Sequence, residues 1–164
     1  MVREEAAGDF EAIRKVNRLA FGQDTEAELV DRLRAEGLII VSLVAVVNGA
    51  AVGHILFSRL AVERCGPPLR AASLAPVAVR PEWQRQGIGG ALVRAGLEAC
   101  RARGVEAVVV VGHPKYYPRF GFSAELARRL EAPFGGDALM AIELVPGALA
   151  AGGRLRFPGA FGDI

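Results

Sequence analysis

Residues 74–93 read LAPVAVRPEWQRQGIGGALV, and the order of residue types along them sets the fold. Val77 and Val79 alternate with small neighbours in a short apolar run, the pattern of a strand, and Arg80-Pro81 ends it. Gln84-Arg85-Gln86-Gly87-Ile88-Gly89-Gly90 then leads into Leu92, Val93 and Leu97 at helical spacing, so the glycines stand where a helix opens. A helix N-terminus presents unpaired backbone N–H groups and the positive end of the helix dipole, and glycine lets a phosphate approach the backbone closely. The stretch predicts a strand, a phosphate-binding turn and a helix in succession.

Two commoner glycine-rich motifs do not fit. A P-loop needs Gly-Lys-Ser/Thr, and here Gly89 and Gly90 are followed by Ala91 and Leu92. A dinucleotide fingerprint starting at Gly87 needs a glycine at position 92, which is Leu92.

Working outward, Val2 to Glu5 reads as an opening strand and Gly8-Asp9 as the cap of a first helix carrying Phe10, Ile13, Val16, Leu19 and Ala20. Thr25 and Glu28 have capping-box spacing, which predicts a second helix to about Ala35, stopped by Gly37. Leu38 to Val47 and Ala51 to Val62 are β-branched runs joined by Asn48-Gly49, a strong hairpin signal. Leu69 to Val79 is expected to fold back as their third neighbour. After the helix from Gly89 to Arg103, the continuous apolar run Val105 to Val111 predicts a buried strand parallel to the one before it. Ala124 to Leu130 reads as a helical turn, Ala138 to Leu144 as a strand, and Arg154 to Phe157 as an edge strand in a tail from Pro146.

The composition narrows the function. With 164 residues, 52% of them hydrophobic, the chain is expected to form a single domain, 1–164, with a substantial core. A net charge of +2 with 23% charged residues argues against nucleic-acid binding. Cys65 and Cys100 belong to no cluster of metal-ligand spacing, so no metal is expected. The N-terminus lacks the apolar segment of a signal peptide, and no apolar run reaches the length of about 18 residues needed to span a bilayer. A cytoplasmic protein without a membrane partner is the expectation.

Gln84-x-x-Gly87-x-Gly89, after a strand ending in Val-x-Val-x-Pro, resembles the acetyl-CoA-binding motif of the GNAT superfamily of N-acetyltransferases. Downstream, Tyr117-x-x-x-Gly121-Phe122 resembles the Tyr-x-x-x-Gly-Phe element that follows the fifth strand in many of these enzymes. Pro114-x-Tyr116-Tyr117-x-Arg119-Phe120-Gly121-Phe122 is similar to one bacterial branch of predicted N-acetyltransferases. The resemblance implies an α/β GNAT fold, a mixed twisted sheet of six or seven strands flanked by helices. Strands 4 and 5, ending near Val79 and Val111, would splay to admit acetyl-CoA.

The activity implied by the resemblance is transfer of an acetyl group from acetyl-CoA to a primary amine of a small molecule or peptide, by direct attack in a ternary complex. A homodimer is compatible with it. Tyr117 matches the family's general acid, which protonates the leaving thiolate, with Tyr116 as the weaker member of the pair. Backbone groups of Val77 and Val79 would pair with the pantetheine arm. Gln84 and the N–H groups of Arg85, Gln86, Gly87, Ile88, Gly89 and Gly90 would hold the pyrophosphate, with the Arg85 and Arg119 side chains as further phosphate partners. A base must take a proton from an alkylammonium of pKa ~10.4, and Glu28 is the candidate taken, beside Glu26, Asp24, His54 and His113. Two rival readings keep the turn without the chemistry: a non-catalytic acyl-CoA-binding regulatory module, and a structural protein with no ligand.

Overall fold

The computed structural model describes residues 1–162. The elements are β1 (Val2–Glu4), α1 (Phe10–Phe21), α2 (Thr25–Ala35), β2 (Ile39–Val47), β3 (Ala50–Glu63), β4 (Ala71–Val79), α3 (Ile88–Ala102), β5 (Ala107–Val111), α4 (Ala124–Ala127), β6 (Leu130–Glu131), β7 (Leu139–Glu143) and β8 (Gly153–Arg156). Hydrogen bonding orders an open mixed sheet β1-β2-β3-β4-β5-β7, with β8 beside β3 and β6 beside β8. The mixed α/β architecture is the expected one. The sheet has eight strands among the described residues instead of six or seven. The surplus is β6, two residues long, where the pattern had suggested the end of a helical turn.

The chain divides into two compact units, Met1–Ser58 with Ala75–Cys100, and Arg59–Leu74 with Arg101–Ile164, so β3 and β4 each pass through both. In the first unit the hairpin forms as its sequence predicts. Asn48 and Gly49 both take positive φ, 51° and 77°, and Val47 pairs with Ala50 across a two-residue turn. From Val52 to Ser58, β3 is buried at every position, which requires cover on both faces. Alternate side chains supply it from opposite sides. Gly53 and Phe57 face α3: a Cβ on Gly53 would stand 3.0 Å from Leu92, and one on Gly96 would stand 2.2 Å from the Phe57 ring. Glycine at position 96 is the condition for that ring to lie against the helix. His54 points the other way, to Asn17 of α1.

α2 begins differently from the expected capping box. Thr25 is already helical and Asp24 is the N-cap, without a side-chain cap bond. The connection Gly22–Asp24 is short, and the Asp24 carboxylate is engaged by Arg18 Nε at 2.7 Å. Glu28 N–H donates to the Asp24 carbonyl, as the first intrahelical bond requires.

In the second unit β4 and β5 pair in parallel at Ala71↔Ala107, Ala72↔Val108 and Ser73↔Val109, and β4 continues to Val79. β7 runs antiparallel to β5 from Ala107↔Glu143 to Val111↔Leu139. Arg154 to Arg156 do form a strand, β8, pairing with the end of β3 on one side and β6 on the other. Leu60, Leu69, Val109, Leu130, Leu139, Leu149 and Leu155 make up much of this unit's buried core. Full burial of such side chains stabilises by roughly 1.5–3 kcal/mol each.

Candidate active site

The first unit builds the glycine turn. The Ala75–Pro76 peptide of β4 is cis, and the strand ends where Arg80 N–H donates to the Val52 carbonyl at 2.8 Å. A 3-10 turn over Pro81–Trp83 follows. Gln84 then reaches back, its Nε2 donating to the Val79 carbonyl at 2.9 Å, so this side chain braces the turn against the strand. Gln86 Nε2 makes a longer contact of 3.4 Å to the Glu82 carbonyl. Arg85 and Gly87 both take positive φ, 62° and 83°. The second is a conformation in which any side chain is strained.

The Gly87 carbonyl accepts from Ala91 N–H at 3.0 Å, which makes Gly87 the N-cap of α3. The N–H groups of Ile88, Gly89 and Gly90 then fall in the first turn and have no intrahelical acceptor. Gln84 to Gly87 are exposed and Ile88 to Gly90 half-buried. Val77 and Val79 are half-buried at the end of β4. The turn therefore offers backbone donors at the positive end of a 15-residue helix, to a ligand bearing negative charge.

The second unit builds an aromatic cluster. After β5, a 3-10 turn over Tyr117–Phe120 is closed by Gly121 at φ 102°. Tyr117 is 8% exposed. Its ring meets Tyr116 edge-on with centroids 5.1 Å apart, and Phe122 at 5.7 Å. Burial, and then the neighbouring Tyr116, push its phenol up to about 12. Its hydroxyl has no hydrogen-bond partner among the described residues. Arg119 is exposed; its Nε donates to the Tyr116 carbonyl at 2.9 Å and its guanidinium lies over the Tyr116 ring at 4.6 Å. That leaves its terminal nitrogens as donors, on a side chain steadied by the ring.

The candidate bases separate by their partners. Asp24 is held by Arg18 and Glu26 by Gln23 Nε2, whereas the exposed Glu28 carboxylate has no partner among the described residues. His54 is fully buried, and its Nδ1 accepts from Asn17 Nδ2 at 3.2 Å while its Nε2–H donates to Ser42 Oγ at 2.9 Å. Asn17 Nδ2 also donates to the Ile13 carbonyl, which fixes the amide orientation and hence the imidazole tautomer. Ser42 in turn donates to Glu5, which pairs with Arg34, whose guanidinium lies over Phe10 at 3.7 Å. Burial, and then Arg34, push His54 down to about 3. With both nitrogens engaged and the proton disfavoured, His54 is a structural residue and no base.

Asn17 and the bracing role of Gln84 belong to no sequence motif. A polar residue four positions after Ile13, on the buried face of α1, was the available signal for the first. Among the described residues no group of three or more His, Cys, Asp and Glu is placed to hold a metal ion, and no helix is long and apolar enough to cross a membrane.

The family model of the acetyltransferase (GNAT) domain matches residues 1–124, a span that includes both the glycine turn and Tyr117. The chain belongs to the GNAT acetyltransferase family. It is 45% identical over 117 residues to the uncharacterized N-acetyltransferase YjhQ of Escherichia coli (strain K12), 70% of this chain and 64% of that relative, so it spans just under two thirds of the relative's length. Among solved structures, the GNAT family N-acetyltransferase YhbS from Escherichia coli, crystallised in complex with CoA, superposes with a TM-score of 0.92 at 32% identity, over 100% of this chain and 92% of that one. A GNAT family acetyltransferase from Brucella melitensis, in complex with acetyl-CoA, gives 0.82 at 33% identity, over 98% and 97% of the two chains. In this GNAT chain the glycine turn lies in the first compact unit and the Tyr117 cluster in the second.

Proposed function

We propose that this protein is an acetyl-CoA-dependent N-acetyltransferase that transfers the acetyl group directly to a primary amine. The observation that carries the reading is the turn from Gln84 to Gly90, exposed up to Gly87 and half-buried from Ile88, with unpaired N–H groups at the start of α3. Relatives of the same fold crystallised with CoA and acetyl-CoA support it. In this reading the N–H groups from Arg85 to Gly90 hold the pyrophosphate, and Gln84 keeps the turn in shape. Val77 and Val79 offer backbone groups to the pantetheine arm, and Arg85 and Arg119 add phosphate contacts.

The amine nitrogen attacks the thioester carbon, the tetrahedral intermediate expels the thiolate of CoA, and the nitrogen loses a proton. Glu28, whose carboxylate is unengaged, is the group assigned to receive it. Tyr117 serves the thiolate. At about 12, its phenol stays protonated across the working pH range and gives its proton to a thiolate, whose conjugate thiol has pKa ~8.5, only uphill. Its main contribution is therefore a hydrogen bond to the charge developing on sulfur, the role of a preorganised donor: CoA departs as the thiolate and is protonated by water afterwards, the amine's proton goes to Glu28, and the phenol keeps its own. Direct attack is preferred to a covalent intermediate because Cys100 is buried in α3 and the exposed Cys65 has no hydrogen-bond partner among the described residues to activate it.

The test is release of free CoA thiol from acetyl-CoA in the presence of amino acids, polyamines, aminoglycosides and peptides with free N-termini. Release accelerated by one class is the expected result and names the acceptor. Tight binding of acetyl-CoA with no amine turned over favours the regulatory module. The absence of any thermal shift with CoA favours a protein without this ligand.

A further inference from the structure

We propose that Gly112 is a positioning residue for Tyr117, and that the space left by its missing side chain sets where the phenol stands. The proposal rests on the reading of Tyr117 as the donor to the leaving sulfur. Gly112 directly follows β5, and its N–H donates to the Ala138 carbonyl at 3.1 Å, one step beyond the Val111↔Leu139 pair. Its backbone is thereby pinned to the neighbouring chain. The Tyr117 ring lies over it: a Cβ at position 112 would stand 2.4 Å from Cε2, 3.1 Å from Cδ2 and 3.4 Å from Cζ.

Carbon atoms in contact rest about 3.5–4.0 Å apart, so the ring occupies the volume a methyl would need. Gly112 is outside the left-handed region, so its φ does not call for glycine. Glycine is needed there for space alone. The edge that a new Cβ would strike is Cε2 with Cδ2, and Cε2 adjoins the Cζ that bears the hydroxyl, so pushing this edge moves the oxygen. The ring has little room to slide away, with Tyr116 and Phe122 edge-on at 5.1 and 5.7 Å. An alanine at 112 must therefore tilt the phenol and carry its oxygen on the order of 1 Å from its place, a misplacement that can cost about 10²-fold in rate.

The experiment is a double-mutant cycle. Phenylalanine at 117 keeps the ring, and with it the collision, while removing the hydroxyl. Gly112→Ala is expected to lower kcat roughly 10- to 100-fold with KM for acetyl-CoA within about threefold. In the Tyr117→Phe background the same change should leave kcat within about twofold. A merely structural role would lower kcat equally in both backgrounds, and that result overturns the proposal, as does an unchanged kcat for Gly112→Ala alone.

The protein has two tyrosines, so ring-labelled tyrosine gives two NMR signals, and Tyr117→Phe assigns them. Displacement of the Tyr117 signal in Gly112→Ala is expected; an unmoved signal refutes the proposal whatever the kinetics. Full turnover by Tyr117→Phe refutes the donor reading instead, and the NMR signal then decides separately whether Gly112 sets the ring's place. If Gly112→Ala does not fold, Gly112→Ala/Tyr116→Ala, compared with Tyr116→Ala, carries the same measurements with room for the ring to retreat.

Discussion

His54 and Tyr117 are buried titratable side chains, one in each compact unit, and burial keeps both neutral by moving them in opposite directions, to about 3 and about 12. They differ in what holds their polar atoms. Both nitrogens of His54 have partners, in a line of contacts running through Asn17, Ser42, Glu5 and Arg34 and joining α1, α2, β2 and β3 to the chain just after β1. The Tyr117 hydroxyl has none among the described residues, although its ring is packed on several sides. A polar group whose bonding capacity is used up within the protein stabilises it; one left unused at the end of a rigid ring is available to a substrate.

The comparison predicts a double dissociation. Tyr117→Phe should cost the most, lowering kcat by ~10² to 10³ while leaving the melting temperature almost unchanged, because the lost hydroxyl had no protein partner. Steady-state kinetics beside a thermal melt checks both halves, and a large drop in melting temperature would break the contrast. His54→Leu should do the reverse. It takes one of two partners from each of Asn17 Nδ2, which keeps the Ile13 carbonyl, and Ser42 Oγ, which keeps Glu5, and urea unfolding should register a loss of roughly 1–3 kcal/mol. Turnover per folded molecule should stay within a few-fold.

A further effect, spread over several pH units, follows from protonation of the unfolded chain. The folded protein keeps His54 neutral down to about 3, whereas the unfolded chain protonates it near 6.5, so below that point the unfolded state binds more protons. Stability contributed by the neutral imidazole is complete above about 6.5 and declines as pH falls toward 3, by at most about 5 kcal/mol over the window. Asp9, held down to about 2 by Arg3 and then by the Ala6 N–H, adds a loss in the same direction below 3.8. Urea titrations from pH 7 to 4 should show the gap between wild type and His54→Leu narrowing with acid. A constant gap would mean that His54 does not titrate differently in the two states.

Much of the first unit was legible because its signals are local. Asn48-Gly49 names a turn needing two positive φ values, and Val77 to Gly89 names a strand, a turn and a helix N-terminus within thirteen residues of sequence. β6 was not legible, since two residues have no period and this strand exists only because β8 lies beside it. The Thr25 cap failed for a related reason: Asp24 and Thr25 are both competent cap residues, and tertiary context chose between them. The Asn17–His54 contact joins residues 37 apart, and nothing in either neighbourhood announces the other. Tyr117 was found through a motif, whereas the seat of its ring over Gly112 is a property of three-dimensional packing that no string of letters records.

The meeting of Phe57 with Gly96 has a consequence for how this sequence can drift. Any side chain at 96 collides with the ring, and any smaller residue at 57 leaves a hollow beside the helix, so neither position can change alone without damage. Descendants of this chain should exchange the two together or not at all. A mutational library that varies them separately will sample mainly failures, while one that pairs a larger residue at 96 with a smaller one at 57 opens substitutions that single-site scanning would record as forbidden.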